Sequence, residues 1–237
     1  MDVVLQSLRD VISKDPVHPA SQMILTSLSC FDKALTPDTD VSTVKPILLR
    51  ALQVNGGDLS PPCAVTLGSC YSSTLLLEES PDITPLVDVF RKSKSLAMYY
   101  AVAKVVEKLG SIVRPQICTI VQIALKDSRA DRVQVLNLLA PCYSKGGDLL
   151  KKEYSATLSL IKECLMSTDI NELLYTLRLI CEVMEYPVFN ATRLKDAFIQ
   201  LSNKPLSPFT SDFLCYVVAK YLVLTLTSNS KSSGEQD

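Results

Sequence analysis

Eight cysteines and a single histidine are the most reactive side chains of this 237-residue chain, and their spacing limits the chemistry to expect. Thiol catalysis needs a thiolate made by a nearby base or cation. Zinc needs Cys or His ligands grouped at short intervals. Cys30, Cys63, Cys70, Cys118, Cys142, Cys164, Cys181 and Cys215 stand singly in apolar stretches with no CxxC pair, and His18 lies beside Pro19 in an expected loop. Cys70, Cys118, Cys164 and Cys181 fall on the apolar period of their segments, which is how thiols packed in the core of a protein from a reducing compartment are placed. No metal and no cofactor is expected, and catalysis is left only as a cryptic cysteine site between helices.

The remaining reactive patterns have structural explanations of the same kind. Glu78-Glu79 and the acids of Thr36-Pro37-Asp38-Thr39-Asp40 fall at helix ends and in turns, where capping and the helix dipole account for them without a second carboxyl across a pocket. A Ser/His/Asp site would rest on His18 alone, with no G-x-S-x-G elbow. Asn55-Gly56-Gly57-Asp58 and Gly146-Gly147-Asp148 lack the Gly-Lys-Ser of a phosphate loop. They are expected to terminate helices, with glycine in the left-handed cap conformation. Arg91-Lys92-Ser93-Lys94 beside Phe90 and Tyr99, and Lys151-Lys152 beside Tyr154, are basic and aromatic together, as single-stranded nucleic-acid sites can be.

Charge decides against that last reading. Lys plus Arg number 24 and Asp plus Glu 25, so the net charge is −1 and no field favours an anionic polymer. The sequence pI of 5.9 argues likewise against direct contact with duplex nucleic acid. The segment MDVVLQSLRDVISK has no basic region leading into an apolar core, so no secretory signal is expected there. Without a secretory route the glycosylation pattern Asn190-Ala191-Thr192 means little. The apolar run from Phe213 to Leu226 is interrupted by Lys220 and is too short to span a bilayer. It is expected to be a buried helix, with no membrane span in the chain and a cytoplasmic or nuclear location.

Apolar residues make up 47% of the chain and recur every three or four positions, broken by short Pro, Gly, Ser and Asp clusters, with almost no strand signal. An all-α fold follows. Ser60 before Pro61 and Ser207 before Pro208 have the chemistry of helix starts. About twelve helices are expected, falling into six pairs that begin near residues 2, 42, 82, 112, 149 and 191, at intervals of 40, 40, 30, 37 and 42. Such intervals suit paired-helix repeats. Residues 1–228 are thus expected to form a single domain of about six hairpins, and residues 229–237 a flexible polar tail.

The middle three units share one plan. KSKSLAMYYAVAKVVEKLG at 92–110, KDSRADRVQVLNLLAPCYSKG at 126–146 and MSTDINELLYTLRLICEVMEY at 166–186 each run from a polar turn into a helix with core-type positions at i, i+3, i+4 and i+7. These are Met98, Ala101, Val102 and Val105; Val133, Leu136, Asn137 and Ala140; and Leu173, Thr176, Leu177 and Ile180. In these residues, above all Lys126-Asp127-Ser128-Arg129-Ala130-Asp131-Arg132-Val133, the chain resembles the HEAT and armadillo-type repeat proteins. It departs from their pattern at Asn137 and at Pro141 inside a helix. The resemblance implies a right-handed α-solenoid of about six helical hairpins.

A stack of hairpins offers a long surface and no deep pocket, which suits a partner protein or an extended peptide better than catalysis. The expected function is therefore a non-enzymatic scaffold or adaptor that binds along the face of the second helices. Tyr99, Tyr100, Lys104, Gln134, Tyr175, Arg178, Tyr216, Lys220 and Tyr221 are the candidate contacts, because tyrosine and long cations combine large contact area with polar tips. Six such repeats also resemble the tubulin-binding TOG domain, although that family's tryptophan has no counterpart here and the turns TPDTD and ESPD are acidic. A subunit of a nuclear or DNA-repair assembly is a further alternative. The apolar circumference of 213–226 implies that this last helix is covered by a partner or by further chain.

Overall fold

The computed structural model describes residues 41–54, 59–93, 95–186, 189 and 191–232. The first expected hairpin, with His18 and Cys30, lies outside them, as do Asn190 and the turn at 55–58. Every regular element among the described residues is helical. The all-α reading therefore stands.

The helices are α1 (Val41–Val54), α2 (Pro61–Leu75), α3 (Thr84–Ser93), α4 (Leu96–Val113), α5 (Ile117–Leu125), α6 (Arg132–Gly146), α7 (Tyr154–Leu165), α8 (Ile170–Val183), α9 (Ala191–Ser202) and α10 (Pro208–Ser232). Short 3-10 turns at Arg114–Gln116 and Gly147–Leu149 precede α5 and α7. Polar side chains set several of the starts. Ser95 Oγ accepts from the amide of Met98, Asp131 from that of Val133, Asp169 from that of Asn171 and Ser207 from that of Thr210. Each satisfies a donor that the first helical turn leaves open, an effect worth about 1 kcal/mol. Ser60 departs from the expectation. It has the extended backbone of a cap, but its hydroxyl donates to Cys63 Sγ at 3.1 Å instead of accepting an amide.

The chain divides into two compact units, residues 1–145 and 146–237. In the first, α2 packs along α4, and α1 lies against α2, α3 and α4; α3 also touches α4 and α5. Its core includes Leu48, Leu52, Leu67, Tyr71, Phe90, Met98, Tyr99, Val102, Leu136 and Leu139, all fully buried. Gly68 is what lets α2 approach α4, because a Cβ there would lie 2.5 Å from the carbonyl oxygen of Ala101 and 2.9 Å from its Cα. In the second unit, α7 contacts α8 and α9, and α8 contacts α10. Ile161, Leu165, Leu177, Leu179, Ile180, Phe189, Leu194 and Val217 are buried there.

Three details correct the expectations from sequence. Neither Gly146 nor Gly147 takes a left-handed conformation; Gly110, inside the α4 run, has φ 28° and marks a break in that helix. Gly147 is small for a different reason, since a Cβ would run into the ring of Tyr186. In α6 the core register begins later than expected: Val133 is only half-buried while Val135, Leu136, Leu138, Leu139 and Ala140 are buried.

Candidate interaction surface

The second helices of the described pairs are α2, α4, α6, α8 and α10, and the candidate contacts fall unequally on the last four. Tyr99 is withdrawn from the set. It is fully buried, packs edge-on against Phe90 with ring centroids 5.0 Å apart, and donates its hydroxyl to Asp127 Oδ2 at 3.1 Å. Burial first, and then the Asp127 carboxylate, hold the phenol well above its ordinary pKa. The placement follows from geometry. A helix advances 100° per residue, so Tyr99, one position after buried Met98, is still within the buried sector, while Tyr100 turns half out.

Lys104 is half-buried and pairs with Glu107 one turn later at 2.9 Å. Gln134 and Tyr175 are half-buried, and Arg178 is exposed. Tyr216 is 59% exposed and stacks on Phe213 with centroids 6.3 Å apart. Lys220 donates to the carbonyl of Cys181 at 2.9 Å, which ties α10 to α8 and fixes the ammonium near the end of α8. Tyr221 lies on α10 with its side chain outside those described. The ion pair of Lys104 and the hydrogen bond of Lys220 thus go to residues outside the candidate set.

Several long-range ties have a common span, some within a pair and some between neighbouring pairs. Lys45 donates to both carboxylate oxygens of Glu78 at 2.8 and 2.9 Å and to the carbonyl of Asp82 at 3.2 Å. Gln116 Nε2 donates to Thr84 Oγ1, Arg114 Nη1 to the carbonyl of Lys145, and Lys204 Nζ to the carbonyls of Met166 and Ser167. With Tyr99–Asp127 and Lys220–Cys181, these bonds join residues separated by between 28 and 39 positions. That interval is one hairpin.

The thiols do not behave as one class. Cys63, Cys70, Cys142 and Cys164 are buried as expected, but Cys118 and Cys181 are half-buried and Cys215 is exposed. Burial alone raises the Cys142 thiol well above its ordinary value. Cys181 is also raised, by burial more than nearby Lys220 lowers it. Both therefore move away from thiolate. Of the acids, Asp82 has its pKa lowered by the Thr84 hydroxyl and then by the Thr84 amide, which donates to it at 2.8 Å, and Glu78 is the partner of Lys45. Among the described residues no three His, Cys, Asp or Glu side chains are grouped to hold a metal ion, and no described helix is long and apolar enough to cross a membrane.

The last helix departs from the expectation that it is buried, though its apolar circumference was legible. Among the described side chains of α10, Thr210, Leu214 and Val217 are buried, while Phe209, Tyr216, Leu222 and Val223 are 69, 59, 54 and 59% exposed. A signal was present in the spacing. Phe209, Tyr216 and Val223 are seven residues apart, which places them along one line of the helix. No family model, curated protein or solved structure matches the chain.

Proposed function

We propose that this chain is a non-enzymatic helical-repeat scaffold that binds a partner protein through the outer sides of its second helices. The repeat reading is supported by the contact order within each unit. First helices touch first helices, as in α1–α3, α3–α5 and α7–α9, and second helices touch second helices, as in α2–α4 and α8–α10. Lys45–Asp82, Gln116–Thr84, Tyr99–Asp127, Lys204–Met166 and Lys220–Cys181 join adjacent pairs, as in a stacked array, where each unit bonds only to its neighbours. A right-handed α-solenoid of the HEAT or armadillo kind is the arrangement we infer from this pattern. The scattered, mostly buried thiols fit a reducing cytoplasmic or nuclear compartment.

The observation that supports the binding role is the mixed chemistry left at the surface of second helices in each unit taken by itself: half-buried Tyr100 and Lys104 on α4 in the first, and half-buried Tyr175 with exposed Arg178 on α8 in the second. Partly buried aromatics have little entropy left to lose on docking, and tyrosine and arginine dominate measured interface energies. The test uses the chain as bait beside a Tyr100→Ala/Tyr175→Ala/Arg178→Glu variant that melts cooperatively, followed by binary titration with the purified partner. Loss of at least about tenfold in affinity, ~1.4 kcal/mol, is expected. Equal binding of both forms would remove this face from the proposal, and steep salt dependence with nucleic acid as the recovered ligand would replace it.

A further inference from the structure

The outward side of α10 has more order than a general binding surface requires. Its buried residues Thr210, Leu214 and Val217 fall within a sector of about 60° at 100° per residue. Phe209, Tyr216 and Val223 run along the opposite half of the helix, and Phe213 stacks against Tyr216 beside that line. Two charged residues interrupt the apolar strip, exposed Asp212 and half-buried Lys220, and each stands four positions from Tyr216.

We propose that this face pairs with the same face of a second copy of the chain, the two α10 helices antiparallel and crossing at Tyr216. In such a pair the residue n positions before 216 meets the residue n positions after it. Phe209 then faces Val223, Phe213 faces Ala219, and Asp212 faces Lys220, the last pair occurring twice by symmetry. A parallel pair would set Asp212 against Asp212, and like charges brought together oppose association. The charge pattern thus selects both the occupant and its direction. The ammonium of Lys220 is held by one bond to Cys181, and it has further donors for the incoming carboxylate. Residues 208–223 span about 24 Å of helix, so the contact is small. Interfaces below about 1,200 Å² are weak and transient, and self-association is accordingly expected in the micromolar range. Pairing of this kind does not depend on the scaffold reading, since it requires no other partner.

Sedimentation velocity of the full chain from about 1 to 200 μM at low salt tests it. A monomer–dimer equilibrium is expected, weakened at least tenfold by Tyr216→Glu, which sets two carboxylates on the axis. Asp212→Lys should also weaken it, and Asp212→Lys combined with Lys220→Glu should restore most of the loss, with far-UV circular dichroism confirming that each variant is folded. If Lys220→Glu alone unfolds the chain, a bismaleimide cross-link through Tyr216→Cys in a Cys215→Ser background reads the same axis. A parent that stays monomeric at 200 μM would overturn the proposal. So would a dimer indifferent to Tyr216→Glu, or one in which neither the charge swap nor the position-216 cross-link reports the antiparallel axis.

Discussion

Gly68→Ala gives opposite answers according to whether α2 is treated as an isolated helix or as one pressed against α4. Alanine in place of glycine inside a helix is ordinarily stabilising by about 1 kcal/mol. Here the new methyl carbon would lie 2.5 Å from the carbonyl oxygen of Ala101 and 2.9 Å from its Cα. Both atoms are backbone, so neither can rotate aside. Restoring ordinary contact near 3.4 Å moves α2 away by about 0.9 Å, and a gap of that size forfeits a quarter to a half of each dispersion contact along the interface. Fully buried Ala64, Leu67, Cys70 and Tyr71 on α2 would all lose packing. Overpacking of a core costs about 1–3 kcal/mol, occasionally more, and against an immovable backbone the upper end applies. The net expectation is destabilisation by about 2 kcal/mol, or a fall in Tm of about 4–8 °C at this chain length. The assay is urea unfolding followed by far-UV circular dichroism and tyrosine fluorescence, since the chain has no Trp. Alkylation of Cys70, which is 1% exposed, reads the opening of α2 itself. Ser69→Ala, on the half-buried neighbouring position, controls for helix propensity and should leave stability unchanged or slightly higher. A Gly68→Ala protein more stable than the parent, with Cys70 no more reactive, would refute the close approach.

Four further outcomes follow from the same packing. Tyr71 is fully buried with its hydroxyl lacking a hydrogen-bond partner among the described residues; Tyr71→Phe should therefore raise stability by about 1 kcal/mol in urea unfolding, because it removes an unsatisfied polar group and keeps the ring beneath Lys45. Tyr99→Phe, which removes the hydroxyl bonded to Asp127, should cost about 1–2 kcal/mol by the same measurement and leave partner affinity unaltered. The lowered pKa of Asp82 means that its contribution is present above the ordinary carboxyl value of 3.8 and is lost as pH falls through the lower folded value; acid unfolding of Asp82→Asn should lack that part of the pH dependence. Gly110→Ala places a side chain at φ 28° and should destabilise α4 by about 1 kcal/mol in thermal melts, even though the nearest atoms are those of the flexible Lys145 side chain.

Helices α1 through α10 were legible because their evidence is local. The apolar period, the breakers and the caps at Ser95, Asp131 and Asp169 all act within one or two turns, and the described helices begin close to where these signals fall. What a side chain faces depends on neighbours far away in sequence, and there local signals misplace residues in both directions. The amphipathic character of tyrosine suggests a surface place for Tyr99, yet a phenol can be buried when an acid reaches its hydroxyl, and Asp127 comes from 28 residues further along the chain. The converse error occurred at 213–226, where an apolar composition suggested burial on all sides. Helix α10 packs against α8, and of its described side chains Thr210, Leu214 and Val217 are buried whereas Phe209, Tyr216, Leu222 and Val223 are exposed. Composition reports the area that a helix can bury, whereas the heptad line of Phe209, Tyr216 and Val223 reports where that area lies. The second signal is the stronger basis for a functional argument, because seven-residue spacing on the side away from α8 has no role in folding the hairpin that carries it.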